Sequence, residues 1–195
     1  MSDTRIDIIR HGEPEGVRLY RGLSVDDPLS KLGWQQMWNA VAEKPSWDHI
    51  ISSPLSRCHR FAEALAETLS IEVSSEDNLK EIGFGSWEGR SPEDIKANEG
   101  DALQRFLKDP VNNRPPGAEP LETFAERVWT VYQDTLTQHH GQHILMVAHA
   151  GVIRAISSKI LGMSLDDVYS KLKIEYAAIA TTRVADQGEP VMVLT

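Results

Sequence analysis

Ile6-Asp7-Ile8-Ile9-Arg10-His11-Gly12-Glu13-Pro14 decides how this chain is read. A short apolar run stops abruptly at Arg10-His11-Gly12. A run of this kind, bounded by a turn, reads as a buried strand over residues 5–10. In open α/β sheets ligands lie just beyond the carboxyl ends of the strands. The strand therefore delivers an arginine and a histidine to the place where such a fold does its chemistry.

The pattern recurs downstream. Asp48–Ser53 is a second short strand, Ile71–Val73 a weaker third, and His143–Ala148 the most apolar and so the most central. Tyr176–Val184 and Val191–Leu194 read as a closing hairpin. Between them lie helical stripes. Trp34, Met37, Trp38 and Val41 share one face behind a Ser30 N-cap, with Pro45 as the stop. Pro54 is expected to open a second helix, striped by Cys58, Phe61, Ala62, Leu65 and Leu69. A weaker pattern predicts one helix over Pro92–Leu107. Leu121, Phe124, Ala125, Val128 and Tyr132 mark a long one, and Gly151–Leu161 another. The polar stretch 13–28, the glycine-punctuated 78–89 and the proline-rich 109–120 read as loops. Strands alternating with helices predict a three-layer α-β-α sandwich, with a mostly parallel sheet and an antiparallel edge. The 195 residues form one expected domain, 1–195.

The formal net charge of −9 argues against nucleic-acid polymers or anionic membranes as partners, since both call for a basic surface. A small anion held by a few local arginines is compatible with it. The single cysteine, Cys58, excludes an intramolecular disulfide and a cysteine-rich metal site. Met1–Arg5 lacks the basic region and long apolar run of a signal peptide, and no window approaches a membrane span. A cytoplasmic address is expected, as monomer or homodimer.

Four turns carry the chemistry: His11 after the first strand, Arg57 after the second, Glu81 in the 78–89 loop, and His149 after the apolar strand. With Arg10, they make two histidines, two arginines and a carboxylate, which suits phosphoryl transfer. Planar guanidinium groups match a tetrahedral phosphate. A neutral imidazole nitrogen can attack phosphorus, and a carboxyl group can shuttle the proton of the leaving oxygen.

Arg10-His11-Gly12-Glu13, Ser52–Arg57, the Leu79–Gly89 loop and Ala148–Gly151 occur in an order that resembles the histidine phosphatase superfamily, the phosphoglycerate-mutase-like fold. The resemblance implies His11 as nucleophile, Arg10, Arg57 and His149 as phosphate clamp, and Glu81 as acid and base. It implies no metal and no cofactor. Tyr20-Arg21-Gly22, Asp27–Ser30, Gly33 and Glu13-Pro14 look like the α-ribazole phosphatase branch, which acts during assembly of the cobalamin nucleotide loop. In Pro115–Pro120, Ala118 and Pro120 replace a glycine and a serine usual in a family loop. The implied alternatives are a phosphatase of a sugar or glycerate phosphate, a mutase, or a non-catalytic phospho-ligand binder.

Several residues carry two readings. Tyr20 and Arg21 either line the substrate mouth or only cover the loop, and Trp87 stands between site and core. Gly22 and Ala150 are counted with the substrate-binding residues. Glu88 competes with Glu81 as the acid. His139, His140 and His143 flank a helix end, where histidines need no ligand role. Trp34, Trp38 and Cys58 are read as core.

Overall fold

The computed structural model describes residues 3–43, 47–185 and 188–194. Its strands are β1 (Thr4–Arg10), β2 (His49–Ser52), β3 (Glu72–Ser75), β4 (His143–Ala148), β5 (Ile179–Val184) and β6 (Val191–Leu194). They form one sheet in the order β3-β2-β4-β1-β5-β6. β1 to β4 run parallel, while β5 is antiparallel to both β1 and β6. The register pairs Arg10 with Ala148, so His11 and His149 leave the sheet side by side.

Parallel strands buried on both faces need apolar residues at every position, which is why β1 and β4 read as continuous runs. Ile6 and Ile8 pack with Ile144 and Met146 against Phe124, Val128 and Tyr132 of α5 (Leu121–Gln138), with α6 (Ala150–Leu161) alongside. Ile9, Leu145 and Val147 pack on the other face against Met37 of α1 (Lys31–Val41) and Phe61 and Leu65 of α2 (Ser56–Leu69). Trp34 and Trp38 lie half-buried, both against Phe61. The Ser30 hydroxyl accepts from Gly33 N–H at 3.0 Å and caps α1.

Asp7 interrupts the apolar run of β1 and is fully buried. Burial alone would raise its pKa. Donors from His143 (2.9 Å), Thr181 (2.6 Å) and Trp47 (3.0 Å) instead lower it to about 2. His143 is thereby engaged by a carboxylate, and His139 stacks on His49. Among the described residues no group of three His, Cys, Asp or Glu side chains is placed to hold a metal ion.

The structure departs from the sequence reading in a few places. Residues 92–107 form two helices, α3 (Pro92–Glu99) and α4 (Ala102–Lys108), because Gly100 breaks the run at φ 60° and ψ −117°, a conformation open to glycine. Helix α2 starts at Ser56 rather than at Pro54. β5 starts at Ile179, after a turn in which Ala177 has φ 57°. A short helix, α7 (Leu165–Lys171), follows α6 without having been expected. Pro45, the expected stop of α1, lies outside the described residues. No helix among the described residues is long and apolar enough to cross a membrane.

Candidate active site

His11 sits where β1 ends, nearly buried. Its backbone N–H donates to Ala148 O at 2.9 Å, which ties the turn to the end of β4. Gly12 follows because the turn lies directly on the start of α1. A Cβ at Gly12 would stand 2.3 Å from Gly33 O, and one at Gly33 only 2.1 Å from Glu13 O. The two glycines thus allow backbone to pack on backbone. His11 Nδ1 lies 2.7 Å from Gly12 O, a distance that fits Nδ1–H donating to the carbonyl. That tautomer leaves the Nε2 lone pair free. Burial, then the charges of Arg57 and Arg10, hold the His11 pKa well below the ordinary histidine value.

The positive groups surround this ring. Arg57, fully buried in the first turn of α2, donates from Nη1 to Val25 O (2.9 Å) and from Nη2 to Gly22 O (3.1 Å). Arg10 donates to Ile174 O at 2.6 Å and lies 4.1 Å from the centre of the Tyr176 ring. The Nε groups of both arginines are buried donors with no acceptor from the protein. Leaving such a donor unmet costs about 1–3 kcal/mol or more. An anion placed there would remove that cost. The His149 ring stands edge-on to His11 with centroids 5.2 Å apart, and its Nε2 is hydrogen-bonded to Ser53 Oγ at 2.8 Å. Burial and Arg57 depress its pKa as well.

The two carboxylates of the 78–89 loop separate on their partners. Glu88 accepts from Phe84 N–H (2.8 Å), Leu23 N–H (3.1 Å), Ser24 N–H (2.8 Å) and the Ser24 hydroxyl. Partial burial would raise its pKa, but these donors outweigh that and lower it. Glu88 is therefore an ionised loop anchor, badly suited to giving up a proton. Glu81 lies against the start of α6, its Oε2 3.4 Å from Gly151 N. A Cβ at Gly151 would sit 2.2 Å from Glu81 Oε1, so only glycine leaves room for this carboxyl. Arg127 secures the loop from behind, donating to the carbonyls of Asn78, Lys80 and Glu81 while Glu119 holds its guanidinium.

The other named residues are largely taken up by the protein itself. Arg21 donates to Asp27 and to the carbonyls of Glu15 and Val17, and so braces the 13–28 loop. Its charge still reaches His11. Tyr20 packs on Phe84, Trp87 and Phe106. Trp87 is 1% exposed and donates to Glu99, so it belongs to a small side core rather than to a ligand surface. Gly22 offers its carbonyl to Arg57, and Ala150 starts α6. Cys58 is fully buried, donates to Ala148 O and has its pKa pushed up by burial, so the thiol stays protonated. Ser53, hydrogen-bonded to His149, and Tyr176, packed against His11 and Arg10, were not singled out from the sequence. Their types carry no signal until the fold brings them in.

Because both histidines are neutral when folded and unshielded when unfolded, the unfolded chain takes up protons first as pH falls below about 6.5. Each group then removes stability at up to about 1.4 kcal/mol per pH unit, until its own depressed folded-state pKa is reached. A ¹⁵N NMR titration of the ligand-free protein should find both rings neutral at pH 6. A protonated His11 there would contradict the site described.

Together these features set a neutral imidazole, His11, among buried positive side chains. The chain matches the family model of the histidine phosphatase superfamily (branch 1) over residues 6–195. Phosphoserine phosphatase 1 of Hydrogenobacter thermophilus is 30% identical over 171 residues, covering 85% of this chain and 80% of its own. Among solved structures, Bacillus stearothermophilus YhfR superposes with a TM-score of 0.89 at 24% identity, over 98% of this chain and 96% of its own. The α-ribazole phosphatase of Shigella flexneri does so at 0.82 and 23%, over 97% and 95%. The chain belongs to the histidine phosphatase superfamily.

Proposed function

We propose that this chain hydrolyses small phosphomonoesters through a phosphohistidine on His11. One observation carries the reading: His11 has its Nδ1 on Gly12 O, leaving Nε2 free, beside two buried guanidinium Nε groups that lack acceptors. The Nε2 lone pair forms the N–P bond as the P–O bond to the leaving group breaks. Arg10 and Arg57 stabilise the equatorial oxygens, where charge concentrates. Glu81 gives its proton to the departing oxygen. It then takes one from a water that attacks phosphorus, breaks the N–P bond and restores His11.

Two leaving groups are favoured by separate observations. The 13–33 segment supports α-ribazole 5′-phosphate, through its likeness to that branch. The similarity to a phosphoserine phosphatase supports a small carboxylated alcohol. A kcat/KM panel of α-ribazole 5′-phosphate, phosphoserine, 3-phosphoglycerate and a sugar phosphate, run in H₂¹⁸O, tests the reaction and ranks the substrates. Hydrolysis places one ¹⁸O in the released phosphate. Isomerised product without ¹⁸O would make the chain a mutase, and binding without turnover would make it a phospho-ligand binder.

A further inference from the structure

We propose that Tyr176 is a positioning residue for the phosphate cluster: its ring fixes the plane of the Arg10 guanidinium and so holds the unmet Arg10 Nε–H in one direction. The inference rests on Arg10 and His11 acting on a phosphoryl group, as proposed above. Tyr176 lies half-buried in the turn between α7 and β5. Arg10 Cζ stands 4.1 Å from the centre of its ring. The His11 ring lies 5.9 Å from the same centre, tilted by 46°. One aromatic side chain thus packs on both the nucleophile and the neighbouring clamp.

A guanidinium needs two constraints to be held in one orientation. The first is the hydrogen bond from Arg10 Nη1 to Ile174 O, at 2.6 Å. A single bond of this kind still lets the planar group swing about the line joining donor and acceptor. A ring against its face stops that swing. The face of an aromatic ring is negative, and a guanidinium is planar and weakly hydrated, so the two stack favourably. The charged groups around Arg10 do not supply this. Glu81 and Glu175 attract it and Arg154 repels it, all three as charges at a distance. Glu175 is itself held by Lys173. Such forces act on the charge of Arg10 and set no plane.

The turn that carries Tyr176 is built onto the end of β1. Arg10 N–H donates to Ala178 O at 3.0 Å, Ala177 N–H to His11 O at 3.4 Å, and Ala178 N–H closes the turn on Glu175 O at 3.2 Å. Ala177 takes up a left-handed φ of 57°. For alanine that conformation is strained, and it persists where the surrounding contacts over-determine it. Ile174 O and the Tyr176 ring lie two residues apart on this one turn. Both constraints on Arg10 therefore come from the same short segment.

The test reads binding of orthovanadate, a phosphate analogue, to the full-length chain by calorimetry. Tyr176→Leu, which removes the ring, should weaken binding roughly 3- to 30-fold, the range of a partly desolvated cation–π contact. Tyr176→Phe, which keeps the ring, should recover most of that loss. In an Arg10→Lys background, where there is no planar group to orient, Tyr176→Leu should cost less than about 2-fold, since a lysine ammonium does not stack. An equal cost in both backgrounds would make Tyr176 a packing residue and overturn the proposal. So would an unchanged affinity in Tyr176→Leu, or a loss in Tyr176→Phe as large as in Tyr176→Leu. A second readout needs no substitution. In the NMR spectrum of the unsubstituted protein, Arg10 guanidinium protons should lie upfield of ordinary arginine positions, because the ring current of Tyr176 acts on them. Ordinary positions would overturn the stacking. Failure of the phosphohistidine scheme would appear separately, as absent turnover in the unsubstituted chain with these binding ratios intact.

Discussion

Replacing His11 by alanine should lower kcat by on the order of 10⁴-fold or more, the scale of removing a covalent nucleophile. Substrate binding should survive, because Arg10 and Arg57 are held by the backbone carbonyls of Ile174, Val25 and Gly22, none of which involves the His11 ring. The distinction matters for the account. Loss of kcat with binding retained identifies a group used in the reaction, whereas parallel loss of both would identify a structural histidine. Phosphate release and calorimetric binding on the same preparation separate the two. A variant retaining more than about one per cent of kcat would remove His11 from the nucleophile's role.

The second large effect belongs to Glu81 and has a chemical signature. Glu81→Gln should slow hydrolysis of alkyl phosphates by about 10²–10⁴-fold, the usual range for a positioned acid–base group. The effect on p-nitrophenyl phosphate should be much smaller, since that leaving group departs without a proton. Gly151→Ala should reproduce the same selectivity without touching the carboxyl chemically. The added methyl would stand 2.2 Å from Glu81 Oε1 and force it aside. Equal losses on both substrate types would move the acid elsewhere. Glu88 is a poor substitute, since four donors hold it ionised in the loop.

Much of this arrangement was legible in the sequence because the sheet is parallel. Strands buried on both faces must be apolar throughout, so β1 and β4 announced themselves and so did the residues at their ends, His11 and His149. Arg57 and Arg60 look alike as sequence; the first is buried and the second exposed, and the first was favoured by its place just after the second strand and by the resemblance. Trp87 was ambiguous for the same reason, since a loop tryptophan can line a pocket or fill a side core. The break at Gly100 and helix α7 were lost for local reasons. Gly100 sits inside a weak pattern, and α7 buries only Val168, too little to show a stripe. The positions of Arg114 on Gly83 O and of Tyr169, on α7, beside Gly151 were illegible because both are products of tertiary packing.

The most direct test of the central claim is to trap the intermediate. The protein is mixed with ³²P-labelled substrate, quenched in alkali within a turnover, digested and mapped by mass spectrometry. The account predicts alkali-stable, acid-labile label on the peptide carrying His11, and none in His11→Ala. Full turnover with no labelled histidine, or label on another residue, would contradict it.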